Sequence, residues 1–520
     1  MKPVSAWIKR IFGMNPIGWV QSRRTMMKRV REFLETFPED DQSEDADAPS
    51  GLVVISPWDG SGVPWFTLAT GLMMARKGAR IRFVVDDVIE GGNALRYRLA
   101  MPAIRDVMAI VAERFEVIYL GTVAQGLVDE DDAGEIERLA RLNATWALRG
   151  EMKRSGRAAI VERNLREGMD AQAHLAGLFD RLEEAFGSVA FVFVPGGIFG
   201  DSGLWVREAR AHGVRVATFD GGGHDAMLLA VDGISCQLQD IPRAFKWLVS
   251  DDATAEDRSF AIEQAKTEMA SRRQGKDAFA SQVSQTERLE SEYDGAILIA
   301  LNSSWDAAAL GLHRVYKDNT TWIVETARYL LDHTDRLVVV RQHPAERLAL
   351  AATSEDYGHL LSSEFGDHPR LRFIAAADPV NSYELLEAAA AVVVHTSTFG
   401  SEAVAFGRPV ITGSAPQYAS LGFVDCATTL EEYETLLQRA ADGELKVSEH
   451  RREQALLCYY LTQRCNWVFS PFNPGGFKRW SKHSLAHWLS QPTVDRMVSA
   501  VIDDTPVALL NHRTRRAESA

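Results

Sequence analysis

Short apolar, β-branched runs alternate with longer stretches of helical period along most of the chain. In the first half the runs are LVVIS from Leu52, ARIRFVVDD from Ala79, EVIYLG from Glu116, VAFVFVP from Val189 and VRVATFD from Val214. Unbroken apolar runs of this kind suit parallel strands buried on both faces. Helical patterns fall between them, at Phe66–Gly78, Leu95–Phe115, across the charged stretch Glu135–Phe186, and at Trp205–His212. The pattern restarts at Ala296 with AILIAL. It continues through a helix at Trp322–Leu331, RLVVVRQHP, LRFIAA, a helix at Ser382–Ala389, AVVVHTST, a helix from Ser401, and PVIT. Strands alternating with helices predict βαβ units and parallel sheets. A chain of 520 residues exceeds one ordinary core, so two Rossmann-like α/β domains are expected.

The ends of the chain depart from this alternation. Residues 1–34 hold eight Lys/Arg against one acid, Glu32. Val4, Trp7, Ile8, Ile11 and Phe12 recur at helical spacing, and a second helical stripe runs from Trp19 to Phe37. Such a cationic amphipathic arm suits an anionic membrane surface, or else docks its apolar stripe on the protein's own body. An acidic, apolar-poor stretch, Pro38–Ser50, reads as a linker. After Leu430 the chain turns helical, then aromatic and basic, and Trp467, Phe469, Phe472, Phe477 and Trp480 are expected to cover a domain interface, with lipid contact as the alternative. The expected division is 1–50 (basic arm and acidic linker), 51–285 (N-terminal, acceptor domain), 286–440 (C-terminal, donor domain) and 441–520 (helical and aromatic), with Ala253–Asp294 as interdomain connection.

Composition narrows the class. A net charge of −14 argues against general nucleic-acid binding. Four scattered cysteines form no CxxC and no zinc spacing, which favours a reducing cytoplasm and no structural metal. No stretch matches a membrane span or a secretory leader. Asp86-Asp87 at a strand end tempts a metal reading, but many Rossmann-like units end their second strand in acids. Gly196-Gly197-Ile198-Phe199-Gly200 is not a dinucleotide fingerprint, so a dehydrogenase is not expected.

Chemistry concentrates where the runs of the second half stop. VVVRQHP ends in Arg341 and His343, and AVVV is followed by Thr396, Ser397, Thr398 and Gly400, then by SEAVAFG as a helix start. Ligands of open α/β sheets bind at carboxyl ends of strands. Hydroxyls, a glycine and a helix N-terminus offer donors to an anion, and Glu402, one turn on, is placed to reach ribose hydroxyls. The pair of strand ends predicts a site for a phosphate-bearing ligand. The alternative for each hydroxyl is a simple N-cap.

This half resembles the capsule polysaccharide biosynthesis glycosyltransferases, especially the bacterial β-Kdo transferases. The family's amide, three residues and an acid resemble Asn302-Ser303-Ser304-Trp305-Asp306, although Gln is more usual at the first position. Its basic-x-His-Pro resembles Arg341-Gln342-His343-Pro344. Its hydroxyl motif resembles Thr396-Ser397-Thr398-Phe399-Gly400-Ser401-Glu402-Ala403. The first half resembles the family in layout only. The resemblance implies a GT-B-like fold, two Rossmann-like domains facing a cleft. It also implies a nucleotide-sugar donor, with CMP-Kdo leading, a polysaccharide or lipid-linked glycan acceptor, and a cytoplasmic enzyme peripheral at the inner membrane. No metal and no further cofactor is required if protein donors hold the leaving phosphate. On that reading Asn302, Asp306, Arg341, His343, Thr396, Ser397, Thr398, Gly400 and Glu402 hold the donor. A carboxylate of the first half, Asp220 in TFDGGG or Asp59 in SPWDGSG, serves as base or nucleophile, with Asp220 preferred because glycines follow it. A CDP-polyol phosphotransferase, a sugar-nucleotide epimerase and a non-catalytic assembly subunit remain as alternatives.

Overall fold

The apolar runs form strands because their side chains are buried on both sides: every residue of Ser50–Ile55 and of Phe191–Pro195 is buried, as is every residue of Ile297–Ala300, Val338–Arg341 and Ala391–Val394. The structure, a computed structural model, describes residues 16–38, 48–58, 62–88, 94–182, 184, 187–198, 200–221, 225–274, 291–349 and 351–519. The chain divides into two compact units, the mixed α/β architecture expected.

Among the described residues the first unit holds seven strands: β1 (Ser50–Ile55), β2 (Arg80–Val85), β3 (Val117–Tyr119), β4 (Phe191–Pro195), β5 (Arg215–Gly221), β6 (Ala226–Ala230) and β13 (Trp467–Phe469). Their order is β13-β6-β5-β4-β1-β2-β3. The five strands β3-β2-β1-β4-β5 are parallel and give the Rossmann order, while β6 and β13 add antiparallel to one edge. The second unit holds β7 (Ile297–Ala300), β8 (Val338–Arg341), β9 (Leu371–Ile374), β10 (Ala391–Val394), β11 (Val410–Thr412) and β12 (Asp425–Cys426), all parallel, in the order β12-β11-β10-β7-β8-β9. In each sheet the strand order reverses beside the first strand, between β1 and β4 and between β7 and β10. Such a switch point opens a crevice at the carboxyl ends.

The units are not consecutive in sequence. The first takes the chain to Asn143, then Ala159–Asp240 and Asn466–Asn511; the second takes Ala144–Ala158, Ile241–Cys465 and the end. This departs from the linear division at 285/286. Helix Ala255–Arg273, begun by a Thr254/Asp257 capping box, is part of the second unit and packs on helix Glu449–Tyr460. Most of the aromatic segment is core of the first unit. Phe472 and Trp480 are fully buried there, with ring centroids 5.1 Å apart, and Phe472 lies 5.0 Å from Phe66. Phe469 is left exposed.

Helix Pro16–Leu34 takes the second of the two courses open to it in the sequence. Trp19, Met26, Val30, Phe33 and Leu34 are buried in the same core, beside helix Ala94–Val111. The apolar stripe docks on the protein's own body, so this helix is a structural part and not a detachable arm. Val4, Trp7, Ile8, Ile11 and Phe12 lie outside the described residues, as do Asp59, Gly222 and Gly223. Among the described residues no helix is long and apolar enough to cross a membrane, and no group of three or more His, Cys, Asp or Glu has the geometry to hold a metal ion.

Candidate functional site

The crevice of the second unit is built by the loops that leave β7, β8 and β10. β7 pairs with β10 on one side and β8 on the other, so His343 and the Thr396–Thr398 loop share one edge of the sheet with β7 between them. The gap is closed by a hydrogen bond: Asn302 Nδ2 donates to Thr396 Oγ1 at 3.0 Å, straight across the switch point. Thr396 is buried. Because its oxygen accepts from Asn302, its own hydroxyl proton is left to donate elsewhere. Asn302 Oδ1 is buried and has no partner among the described residues. A buried acceptor without a donor is costly, and a ligand N–H or O–H would satisfy it.

The β7 loop is tied to β8 by a carboxylate not foreseen from the sequence. Ser303 Oγ and Gln342 Nε2 donate to the two oxygens of Glu346 at 3.1 and 2.9 Å, and Gln342 Oε1 accepts from Ala376 N–H at 3.0 Å. Glu346 is buried, and burial pushes its carboxyl above the usual range against these hydrogen bonds. The sequence signal was its position in HPAE, one turn past His343.

His343 caps the short turn Pro344–Arg347, its Nδ1 accepting from Ala345 N–H at 3.2 Å. That bond places the ring proton on Nε2. The ring is reached by solvent yet closely surrounded by protein. Burial, reinforced by the Arg341 charge, pushes its pKa down to about 4. At neutral pH His343 is therefore an uncharged Nε2–H donor.

Arg341 does not present its guanidinium to a ligand. It is 3% exposed and donates to the carbonyls of Ala375 and Val380, the latter at 3.2 Å, and to Ser382 Oγ at 3.4 Å. It braces the loop after β9, and burial lowers its pKa only to about 10, so its charge still acts on His343. The reading of Arg341 as a direct phosphate donor is corrected to a bracing role.

The hydroxyl loop is also more occupied than expected. Ser397 Oγ accepts from Phe399 N–H at 3.3 Å, Ser397 C=O accepts from Gly400 N–H at 3.0 Å, and Thr398 C=O accepts from Ser401 N–H at 3.1 Å. The first N–H groups of helix Phe399–Ala405 are thus turned inward, and the expected backbone cradle for an anion is closed. Thr398, at the N-cap, makes no side-chain cap bond, so its hydroxyl joins that of Thr396 on the loop. Gly400 has a packing reason: a Cβ there would stand 2.4 Å from Tyr418 Oη, which donates to Ser397 C=O at 2.5 Å.

Glu402 is likewise reassigned. It is 3% exposed and receives Arg272 Nη1 at 3.2 Å and Tyr383 Oη at 2.7 Å. Both oxygens hold helix Ala255–Arg273 and Tyr383 to the sheet, in place of the ribose contact expected. Asp306 accepts from Ala308 N–H at 3.1 Å in a turn and is exposed, though burial of the carboxyl by its surroundings raises its pKa. Its neighbour Trp305 lies under the Arg149 guanidinium, 4.9 Å from the ring centroid. Arg149 belongs to Ala144–Ala158, a strap from the first half of the chain. Its carbonyl accepts from Ser354 N–H at 2.7 Å, and Glu151 of the strap accepts from Asn319 and Thr320 N–H at 3.0 and 3.2 Å.

In the first unit the switch point lies between β1 and β4. Ser56 is fully buried there with no partner for its hydroxyl among the described residues. Gly196 and Gly197 take φ of 74° and 108°, a backbone open to glycine. Asp220 sits near the end of β5, one strand beyond the switch, with Oδ1 accepting from Gly221 N–H at 2.7 Å. Asp86 is buried and accepts from Trp205 Nε1 at 3.0 Å; Asp87 accepts from Gly121 N–H at 2.8 Å.

Residues 256–461 match the model of the capsule polysaccharide biosynthesis protein family. The matched span contains Asn302, Asp306, Arg341, His343 and the whole hydroxyl loop, so the resemblance seen in the motifs extends over most of the second unit. No curated protein matches the sequence. Similar solved structures include Thermosulfurimonas dismutans KpsC, beta Kdo 2,7 transferase, at 17% identity over 56% of this chain and 81% of that one, TM-score 0.33. KpsC, beta Kdo 2,4 transferase, of the same organism has 16% identity over 52% and 87%, TM-score 0.34. The Neisseria meningitidis UDP-GlcNAc 2-epimerase bound to UDP-GlcNAc has 11% identity over 78% and 97%, TM-score 0.21. At such scores these likenesses add nothing to the strand order described above.

Proposed function

We propose that this protein is a metal-independent glycosyltransferase of bacterial capsule or surface-polysaccharide synthesis, moving a sugar from a nucleotide donor to a polysaccharide or lipid-linked glycan at the cytoplasmic face of the inner membrane. The observation that carries it is the Asn302–Thr396 bond across the β7/β10 switch, with His343 on the same edge, inside the segment that matches the capsule family. The nucleotide phosphate would be held by His343 Nε2–H and by the Thr396 and Thr398 hydroxyls. Neutral donors aimed at developing charge lower a barrier without a metal. The acceptor hydroxyl oxygen attacks the anomeric carbon, the bond from that carbon to the phosphate oxygen breaks, and the nucleotide leaves with the electron pair. The hydroxyl proton passes to a carboxylate base, for which Asp220 and Asp59 are the candidates. The motif resemblance makes CMP-Kdo the leading donor.

The test is incubation of the purified protein with CMP-Kdo and a glycolipid extract of a capsule-forming bacterium, following CMP release and Kdo incorporation together. Both should occur, and Asp220→Asn should bind CMP while losing transfer. If Asp59→Asn is inactive and Asp220→Asn active, the base is Asp59. CMP binding with no transfer from any donor would favour the non-catalytic subunit, and transfer of a polyol phosphate from a CDP-polyol would favour the phosphotransferase.

A further inference from the structure

The first unit carries a cationic face on a protein whose net charge is −14. Burial of Trp19, Ser22, Met26, Val30 and Phe33 fixes which side of helix Pro16–Leu34 faces out: Val20, Arg24, Lys28 and Arg31 are exposed, one turn apart along the opposite side. The neighbouring surface comes from the far end of the chain. Arg29 Nε donates to Ser481 C=O at 2.9 Å and its Nη2 to Lys482 C=O at 2.7 Å, which locks residues 478–487 beside the helix. Lys478, Arg479, Lys482, His483 and His487 are exposed there.

Part of this charge is neutralised locally. Arg23 pairs with Asp106 at 2.6 Å, Arg29 with Glu32 at 2.8 Å, and Arg479 with Asp225. Lys28 stands 3.6 Å from Glu32. Arg24, Arg31, Lys478 and Lys482 form no salt bridge among the described residues. Four uncompensated, exposed cations are therefore gathered on one face by a contact that joins the two ends of the chain.

We infer that this composite face, the outer stripe of helix Pro16–Leu34 together with residues 478–487, seats the protein on an anionic lipid bilayer. The inference deepens the membrane-proximal reading proposed above and replaces the apolar stripe of the helix, which is buried, with its polar side as the contact. The chemistry recognised is a layer of anionic headgroups. Lysines and arginines spread over an open helix side match a diffuse negative surface, which attracts each nearby basic residue by about fivefold in partitioning. The attraction is screened by salt.

The experiment is vesicle co-sedimentation of the full-length chain. The probes are phosphatidylcholine vesicles with and without a large fraction of phosphatidylglycerol. The wild type should bind only the anionic vesicles, and less as salt is raised. Arg24→Gln, Arg31→Gln, Lys478→Gln and Lys482→Gln combined should weaken partitioning by about two orders of magnitude or more, with melting temperature and far-ultraviolet circular dichroism unchanged. A control removes the same charge from exposed positions of the second unit, Lys153, Arg154, Lys317 and Lys446 to Gln, and should bind as wild type. Equal binding by the first variant, equal loss by the control, or equal binding to neutral vesicles would overturn the inference. So would tighter binding to duplex DNA than to anionic vesicles at the same salt. The assay needs no turnover, so its failure and a failure of sugar transfer are separate results.

Discussion

Replacing Glu151 with glutamine should stabilise the protein at neutral and alkaline pH. The carboxyl is pushed up to about 7, chiefly by burial, with the charges of Asp318 and Glu355 adding to it, against hydrogen bonds from Asn319 and Thr320 N–H. A carboxyl whose folded pKa lies above its unfolded value of 4.5 favours folding in its protonated form. Its contribution is complete below the unfolded value and is lost as pH rises through about 7. The rise corresponds to about 3 kcal/mol between the two limits. The opposing effect is the positive end of helix Asn319–His333, which favours an anion by about 0.3–1 kcal/mol, or ~2 in buried geometry. Burial therefore outweighs the dipole. Glutamine keeps an oxygen for the Asn319 and Thr320 N–H groups and never ionises. Thermal melts of wild type and Glu151→Gln across about pH 5 to 8 should show an advantage for the variant that grows with pH. A variant that instead loses most stability at high pH would mean that the ionised carboxylate anchors the helix, and the burial argument would fail.

Three further outcomes follow from the second unit. Gly400→Ala should cost about 1–3 kcal/mol in denaturant melts, because its Cβ meets Tyr418 Oη, and adding Tyr418→Phe should return part of the loss; no recovery would count against the contact. Glu402→Ala should destabilise by about 3 kcal/mol or more through the stranded Arg272 charge, whereas a variant of normal stability with weakened nucleotide binding would restore the ribose contact. His343→Ala should lower turnover about 10²-fold, and the wild-type pH–rate profile should show no histidine inflection between about pH 6 and 7, since the ring is neutral above about 4; an inflection there would refute the neutral donor.

Much of the architecture was legible because it is written locally. A run such as VVVR or AVVV carries its own burial pattern, and its abrupt polar end marks a strand's carboxyl end whatever lies around it. That was enough to find two α/β units and the strand ends after β8 and β10, where His343 and Thr396 stand; Asn302 after β7 was read from the family resemblance. Strands β6, β12 and β13 were not read from the sequence, since no unbroken β-branched run with an abrupt polar end marks them.

Strand order, and with it the direct link from Asn302 to Thr396, depended on the packing of the whole sheet. So did the use of each polar group. Arg341 and Glu402 looked like ligand residues because of their places, at a strand's carboxyl end and one turn into the next helix. Their partners, the carbonyls after β9 and the side chains of Arg272 and Tyr383, arrive only when distant segments fold together. The amphipathic helix Pro16–Leu34 announced an apolar side that needed cover, but whether lipid or protein supplied it was decided by tertiary packing against the core that the far end of the chain completes. A side chain's chemistry is local; which of its hydrogen bonds remain for a ligand is settled by contacts with segments that only the fold brings near.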